Sequence, residues 1–109
     1  MPATPVQVVA SSYVPSSAGV LYTSLIPTQI VNLTFCNVSG SPVSMTTYLV
    51  PLSGSPGVAN QISVKTLNVG ETWQASEWIG KIMIKGDMLQ AVAGVASAIV
   101  ASGAGVQYS

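Results

Sequence analysis

Residues 1 to 64 carry no charged side chain, and prolines at positions 2, 5, 15, 27, 42, 51 and 56 cut the same stretch into short pieces. Proline removes a backbone donor and clashes with the preceding helical turn, so this half of the chain is denied long helices. No window within it reads as a membrane-spanning helix either, because Ser, Thr, Asn and Gln are mixed throughout. What remains for 109 residues is one domain of short extended segments joined by turns. The stretch from Met88 to Ser109 is also uncharged, at about the length of a span. Its large aliphatics besides valine are only Leu89 and Ile99, and Ala, Gly and Ser contribute little insertion energy, so no membrane is expected as a partner. The N-terminus lacks the basic start and apolar run of a signal peptide.

Charge excludes further classes. Three lysines (Lys65, Lys81, Lys85) face three acids (Glu71, Glu77, Asp87), a charged fraction of 6% against the roughly 25% of an ordinary soluble domain. Without a basic surface the chain cannot displace counterions from phosphates, so nucleic acid is not expected as a partner. A hydrophobic fraction of 49% and a mean hydropathy of +0.56 rule out intrinsic disorder. With no His, the usual general base and the commonest metal ligand are both missing. The single thiol, Cys36, has no His to activate it and no second Cys for an internal disulfide or zinc site. The expectation is a non-enzymatic protein without cofactor or metal.

Period-2 alternation organises the middle of the chain. Gln29 to Asn37 places Val31, Leu33 and Phe35 on one face and Asn32, Thr34 and Cys36 on the other. Val38-Ser39-Gly40-Ser41-Pro42 reads as a turn, and Val43 to Val50 alternates again, with Val43, Met45, Thr47 and Leu49 sharing a face. The spacing predicts a hairpin with Val31, Leu33, Phe35, Met45 and Leu49 inward. Ser53-Gly54-Ser55-Pro56-Gly57 is a loop by composition, and further β runs follow at Asn60–Val69, Thr72–Ala75, Lys81–Lys85, Met88–Ala93 and Ala96–Ala101. Gly103-Ala104-Gly105 is expected to separate the last of these from a short tail. About seven short strands at this spacing predict an all-β antiparallel sandwich over residues 20–109. Residues 1–19, with Pro2, Pro5 and Pro15 and no sustained period, read as an extended N-terminal arm. Its apolar side chains Val6, Val8, Val9, Tyr13 and Val14 favour docking over solvation, as a strand added to a neighbouring subunit.

Several runs together resemble the small immunoglobulin-like β-sandwich structural proteins of tailed bacteriophages. They are Leu21-Tyr22-Thr23, Asn32 to Gly40, Val43 to Pro51, Gly70-Glu71-Thr72 and Gly86-Asp87-Met88-Leu89-Gln90-Ala91. The resemblance covers residues 20 to about 103, leaves out the arm and carries no catalytic signature. It implies a virion building block that decorates or cements the capsid or forms part of the collar or tail. The implied partners are copies of the chain itself and other virion proteins. A surface of Ser, Thr, Asn, Gln and Ala suits permanent assembly, since it lacks the charge that keeps free monomers apart.

Trp73 and Trp78 are the remaining candidates for an interface, since Trp is enriched at binding hot spots; the bland alternative places one or both in the core. Cys36 is expected to be an inert small side chain, and the charged residues from Glu71 to Asp87 a solvated rim. Two glycosylation sequons, at Asn32 and Asn37, are read as chance matches. The competing function is a carbohydrate- or surface-binding sandwich module, for which only the two tryptophans speak.

Overall fold

The computed structural model describes residues 3–108. Nine strands form two antiparallel sheets: β1 (Ala3–Tyr13), β2 (Gly19–Thr23), β3 (Thr28–Asn37), β4 (Val43–Val50), β5 (Gln61–Leu67), β6 (Thr72–Gln74), β7 (Ile82–Met83), β8 (Met88–Ala93) and β9 (Ile99–Tyr108). One sheet has the order β1-β9-β3-β6, with β7 also on β3, and the other the order β2-β8-β4-β5. The all-β sandwich expected from the alternation is there, with nine strands in place of seven. The chain crosses between the sheets at almost every connection, and β4 and β5 are the one pair of consecutive strands that hydrogen-bond to each other. This interleaved order is that of a jelly roll rather than of the immunoglobulin arrangement.

That topology corrects the expected β3–β4 hairpin. β3 pairs with β9, β6 and β7, whereas β4 lies in the opposite sheet between β5 and β8. The turn at Val38–Pro42 is real, but it is an arch from one sheet to the other. Asn37 holds it: the buried amide donates to the Ser41 and Leu67 carbonyls, each at 2.9 Å, and accepts from the Ser39 backbone N–H and hydroxyl. All four bonds are needed by a buried amide, so the match of Asn37 to a sequon has a structural reason.

The inward faces of both sheets meet in one core built on Ile30, Leu33, Phe35, Met45, Leu67, Leu89 and Ile99. Val31, expected inward, is half exposed. The ladder from β3 to β9 slips between Ile30 and Asn32, so Val31 is the extra residue of a bulge, and the inward set changes phase from Thr28 and Ile30 to Leu33, Phe35 and Asn37.

Gly103 and Gly105 do not end β9 but lie inside it, opposite Leu33 and Ile30. A Cβ on Gly105 would come within 2.6 Å of the Gln29 carbonyl oxygen, and one on Gly103 within 2.8 Å of the Asn32 carbonyl oxygen. Here glycine serves close backbone approach instead of turn formation.

Three substitutions separate these placements. Leu33→Ala is expected to cost about 2–5 kcal/mol as a core truncation, and Val31→Ala no more than about 0.5 kcal/mol as an exposed change. Gly105→Ala is expected to cost about 1–3 kcal/mol, because the obstacle is backbone. Chemical denaturation of the three variants checks this; equal losses at Val31 and Leu33 would contradict the bulge.

Candidate functional site

Of the residues proposed for an interface, most are placed inside the protein's own fold. β1 pairs with β9 from Ala3↔Tyr108 to Tyr13↔Val100, with shifts after Gln7 and Val9. Val8, Val9 and Val14 are buried, and Val6 packs partly against the core. Val8 fills the notch left by Gly105, where a Cβ would come within 2.8 Å of its methyl. The segment read as an arm reaching a neighbour thus contains the edge strand of its own sheet, and the sandwich includes Ala3–Tyr13 as well as the residues from 20 onward. The reason is non-local: β9 offers an open edge and a glycine-lined surface that no feature of residues 1–19 reveals. Of the arm residues, Tyr13 stays outside, 55% exposed, in a row with Val100 and Cys36 across the outer face of the sheet.

The tryptophans follow the core reading. Trp78, on a 3-10 turn at Ser76–Trp78, is fully buried, and its indole N–H donates to Thr47 Oγ at 2.9 Å, joining the β6–β7 connection to β4 in the opposite sheet. Thr47 in turn meets Ser63 Oγ at 2.6 Å. Trp73 lies beside Phe35 in the β3–β6 register and stacks on it, ring centroids 5.7 Å apart at an interplanar angle of 27°. It is partly buried. Neither ring forms a free planar platform.

Charge is segregated. All six charged residues fall between positions 65 and 87, and of the nine strands only β5 carries one, Lys65. Lys65 Nζ lies 3.9 Å from Glu71 Oε2, an exposed pair of little energetic weight. The carboxylates of Glu71 and Asp87 close their own turns by accepting the Asn68 and Ile84 backbone N–H groups. The β1 and β2 edges, on the opposite side of the sandwich, carry no charge.

Among the described residues there is no cavity between the sheets and no group of three side chains suited to a metal ion. Cys36 is free and half-buried. The surface carries instead exposed aliphatics at the ends of the sandwich, including Leu25, Leu52 and Ile84. Sequence reasoning gave these no role: Leu25 and Leu52 fall between the runs it read as strands, and Ile84 was placed in a β run between Lys81 and Lys85. An aliphatic residue inside turn chemistry, as in Ser24-Leu25-Ile26-Pro27 or Pro51-Leu52-Ser53-Gly54, is the signal that points to them.

In a Trp73→Phe variant, the remaining Trp78 is expected to emit at short wavelength and to resist acrylamide quenching until the protein unfolds. Ready quenching in the folded state would place Trp78 at the surface instead.

No family model and no curated protein matches the sequence. Among solved structures, the chain is similar to a subunit of Bacillus endospore appendages, described as a novel family of disulfide-linked pili. The identity is 15% and the TM-score 0.51, over 100% of this chain and 91% of that one. It also overlaps a chain of infectious bursal disease virus, Gx strain, at 11% identity and a TM-score of 0.45, over 96% of this chain and 31% of that one. At these identities the likeness to the appendage subunit is one of fold.

Proposed function

We propose that this protein is a non-enzymatic structural subunit that assembles with copies of itself, as an accessory component of a tailed-phage virion: a capsid decoration or cement protein, or part of the collar or tail. The observation that carries the reading is the distribution of charge. Eight of nine strands are uncharged, and both the sheet faces and the β1 and β2 edges present Ser, Thr, Asn, Gln, Ala and Val. A free monomer gains no mutual repulsion from such a surface, whereas in an assembly neighbours cover it. The jelly-roll order accords with the role, since this architecture recurs in viral capsid domains; that support is by analogy of fold. The phage assignment rests on the sequence resemblance over residues 20 to about 103.

The appendage pili are described as disulfide-linked. The single Cys36 of this chain joins copies at most in pairs, so a polymer built from it rests on non-covalent contacts. The carbohydrate-binding alternative loses its support, because Trp78 is buried and Trp73 is stacked on Phe35.

Sedimentation velocity over a wide concentration range, with negative-stain microscopy of the same samples, tests the proposal. Species larger than a monomer, growing with concentration, are expected; mass spectrometry of purified phage particles tests the virion assignment. A monodisperse monomer that also fails to bind particles would overturn both.

A further inference from the structure

An open sheet edge presents a row of unpaired backbone N–H and C=O groups, a template for a strand from a second copy. The edges of this sandwich are β1 and β6, with β7, in one sheet and β2 and β5 in the other. β6 and β7 have three and two residues, and β2 has five with a register slip between Val20 and Tyr22, so none of them is a long template. β1 has eleven residues, but its edge is broken. Pro5 is opposite Val106 and has no N–H, so Thr4 and Val6 bond to β9 while Ala3, Pro5 and Gln7 address the open side. That side lacks a donor at Pro5, and the shifts after Gln7 and Val9 interrupt the rest.

β5 is the regular edge, seven residues with an unbroken register from Val43↔Leu67 to Thr47↔Ser63. The Ser44 carbonyl accepts the Gly94 N–H at 2.9 Å, so Ser44 and Thr46 address β8, and Met45 addresses β5. Lys65 therefore bonds to Met45, and the amides of Val64 and Thr66 point to the open side. Lys65 is also the one charged residue on any strand, and it starts on the inner face. It lies opposite Met45, which is 1% exposed. Its neighbours on that face are the buried Leu67 and Ser63, whose hydroxyl meets that of the buried Thr47. Its head returns to water at the edge, with Nζ 3.9 Å from Glu71 Oε2 and the side chain 40% exposed. So weak a pair does not account for a lysine on the core side of a strand.

We propose that Lys65 is a guard on the β5 edge, an ammonium rooted on the inner face and led out past the open side, which keeps the strand of a second copy from pairing there. An added strand would cover that head, and stripping water from a poorly paired ammonium outweighs the few backbone bonds gained. In a two-fold pairing of β5 with β5 centred there, the two lysines would oppose each other as like charges. Inward-pointing charge is one of the devices by which edge strands resist such pairing. The guard is independent of the self-assembly proposed above and limits its routes: copies can cover each other's faces and sides, but neither sheet extends strand by strand through β5 or β1.

Hydrogen–deuterium exchange over a range of protein concentrations reads this edge locally, whatever the mass of the wild type. The Val64 and Thr66 amides are expected to exchange openly at every concentration in the wild type and in Lys65→Arg. In Lys65→Val they are expected to slow at least about tenfold as concentration rises, because β5 then pairs between copies. Lys65→Thr, polar and suited to a strand, repeats the test without adding apolar surface. Adding Thr66→Pro to Lys65→Val removes an open-side donor without touching the β4 ladder, and its Val64 amide is expected to exchange openly again. Thermal melting establishes that each variant folds. Open exchange in both Lys65→Val and Lys65→Thr at the highest concentration would overturn the proposal. So would protection of Val64 that survives Thr66→Pro, or protection of these amides in the wild type, which would make β5 an assembly interface. Self-assembly is read from the mass of the wild type and the guard from two amides, so either can fail alone.

Discussion

The fold depends on how closely β9 can lie between β1 and β3. β9 pairs with both neighbours along nearly its whole length, and its inner face must leave room for the side chains those neighbours direct into the core. Gly103 and Gly105 supply that room: Leu33 and Val8 occupy the space where Cβ atoms would otherwise stand. Ala101 and Ile99 then continue the buried face toward the other end. With the last strand seated against the first and third, the two chain ends close the sheet together, and the remaining strands alternate between layers around it.

The second layer is registered by a few polar contacts that cross between elements. Trp78 reaches Thr47 across the sandwich, and Asn37 ties β3 to the end of β5. At the other end, Tyr22 OH lies 3.1 Å from Thr28 Oγ and accepts from Gln107 at 3.1 Å, which links β2, β3 and β9. Among the described residues every buried side-chain polar atom has a partner. In an otherwise apolar core these bonds have directional value, because an unmade one would cost about 1–3 kcal/mol and thereby penalises a slipped register.

Much of this was legible locally. Alternation located β3 and β4 and the inward placement of Leu33, Phe35 and Met45, because a strand with one buried face writes its period into the sequence; turn chemistry located the turn at 38–42 and the start of β8. Pairing did not show. Whether β3 turns back on itself or arches to the opposite sheet depends on β9 and β8, more than fifty residues away in sequence, and nothing in Ser39-Gly40-Ser41 distinguishes the two. The bulge at Val31 and the glycines of β9 were misread for the same cause: each makes sense only beside its partner strand. The arm is the clearest instance. Val6, Val8 and Val9 announced that the segment docks, but the surface receiving it belongs to β9 of the same chain. For the surface, the confinement of charge to residues 65–87 was plain from the start, while the gathering of Leu25, Leu52 and Ile84 at one end needed the topology.

The central claim is that β1 is an integral strand of the sandwich in the single chain. Hydrogen–deuterium exchange on dilute, monomeric protein tests it directly. Amides of β1 that donate to β9 are expected to be protected far above the rate of an unstructured segment and to exchange together with the β9 amides that face them. Rapid exchange throughout residues 3–13, with β3 and β9 still protected, would show β1 to be a free arm and contradict the account.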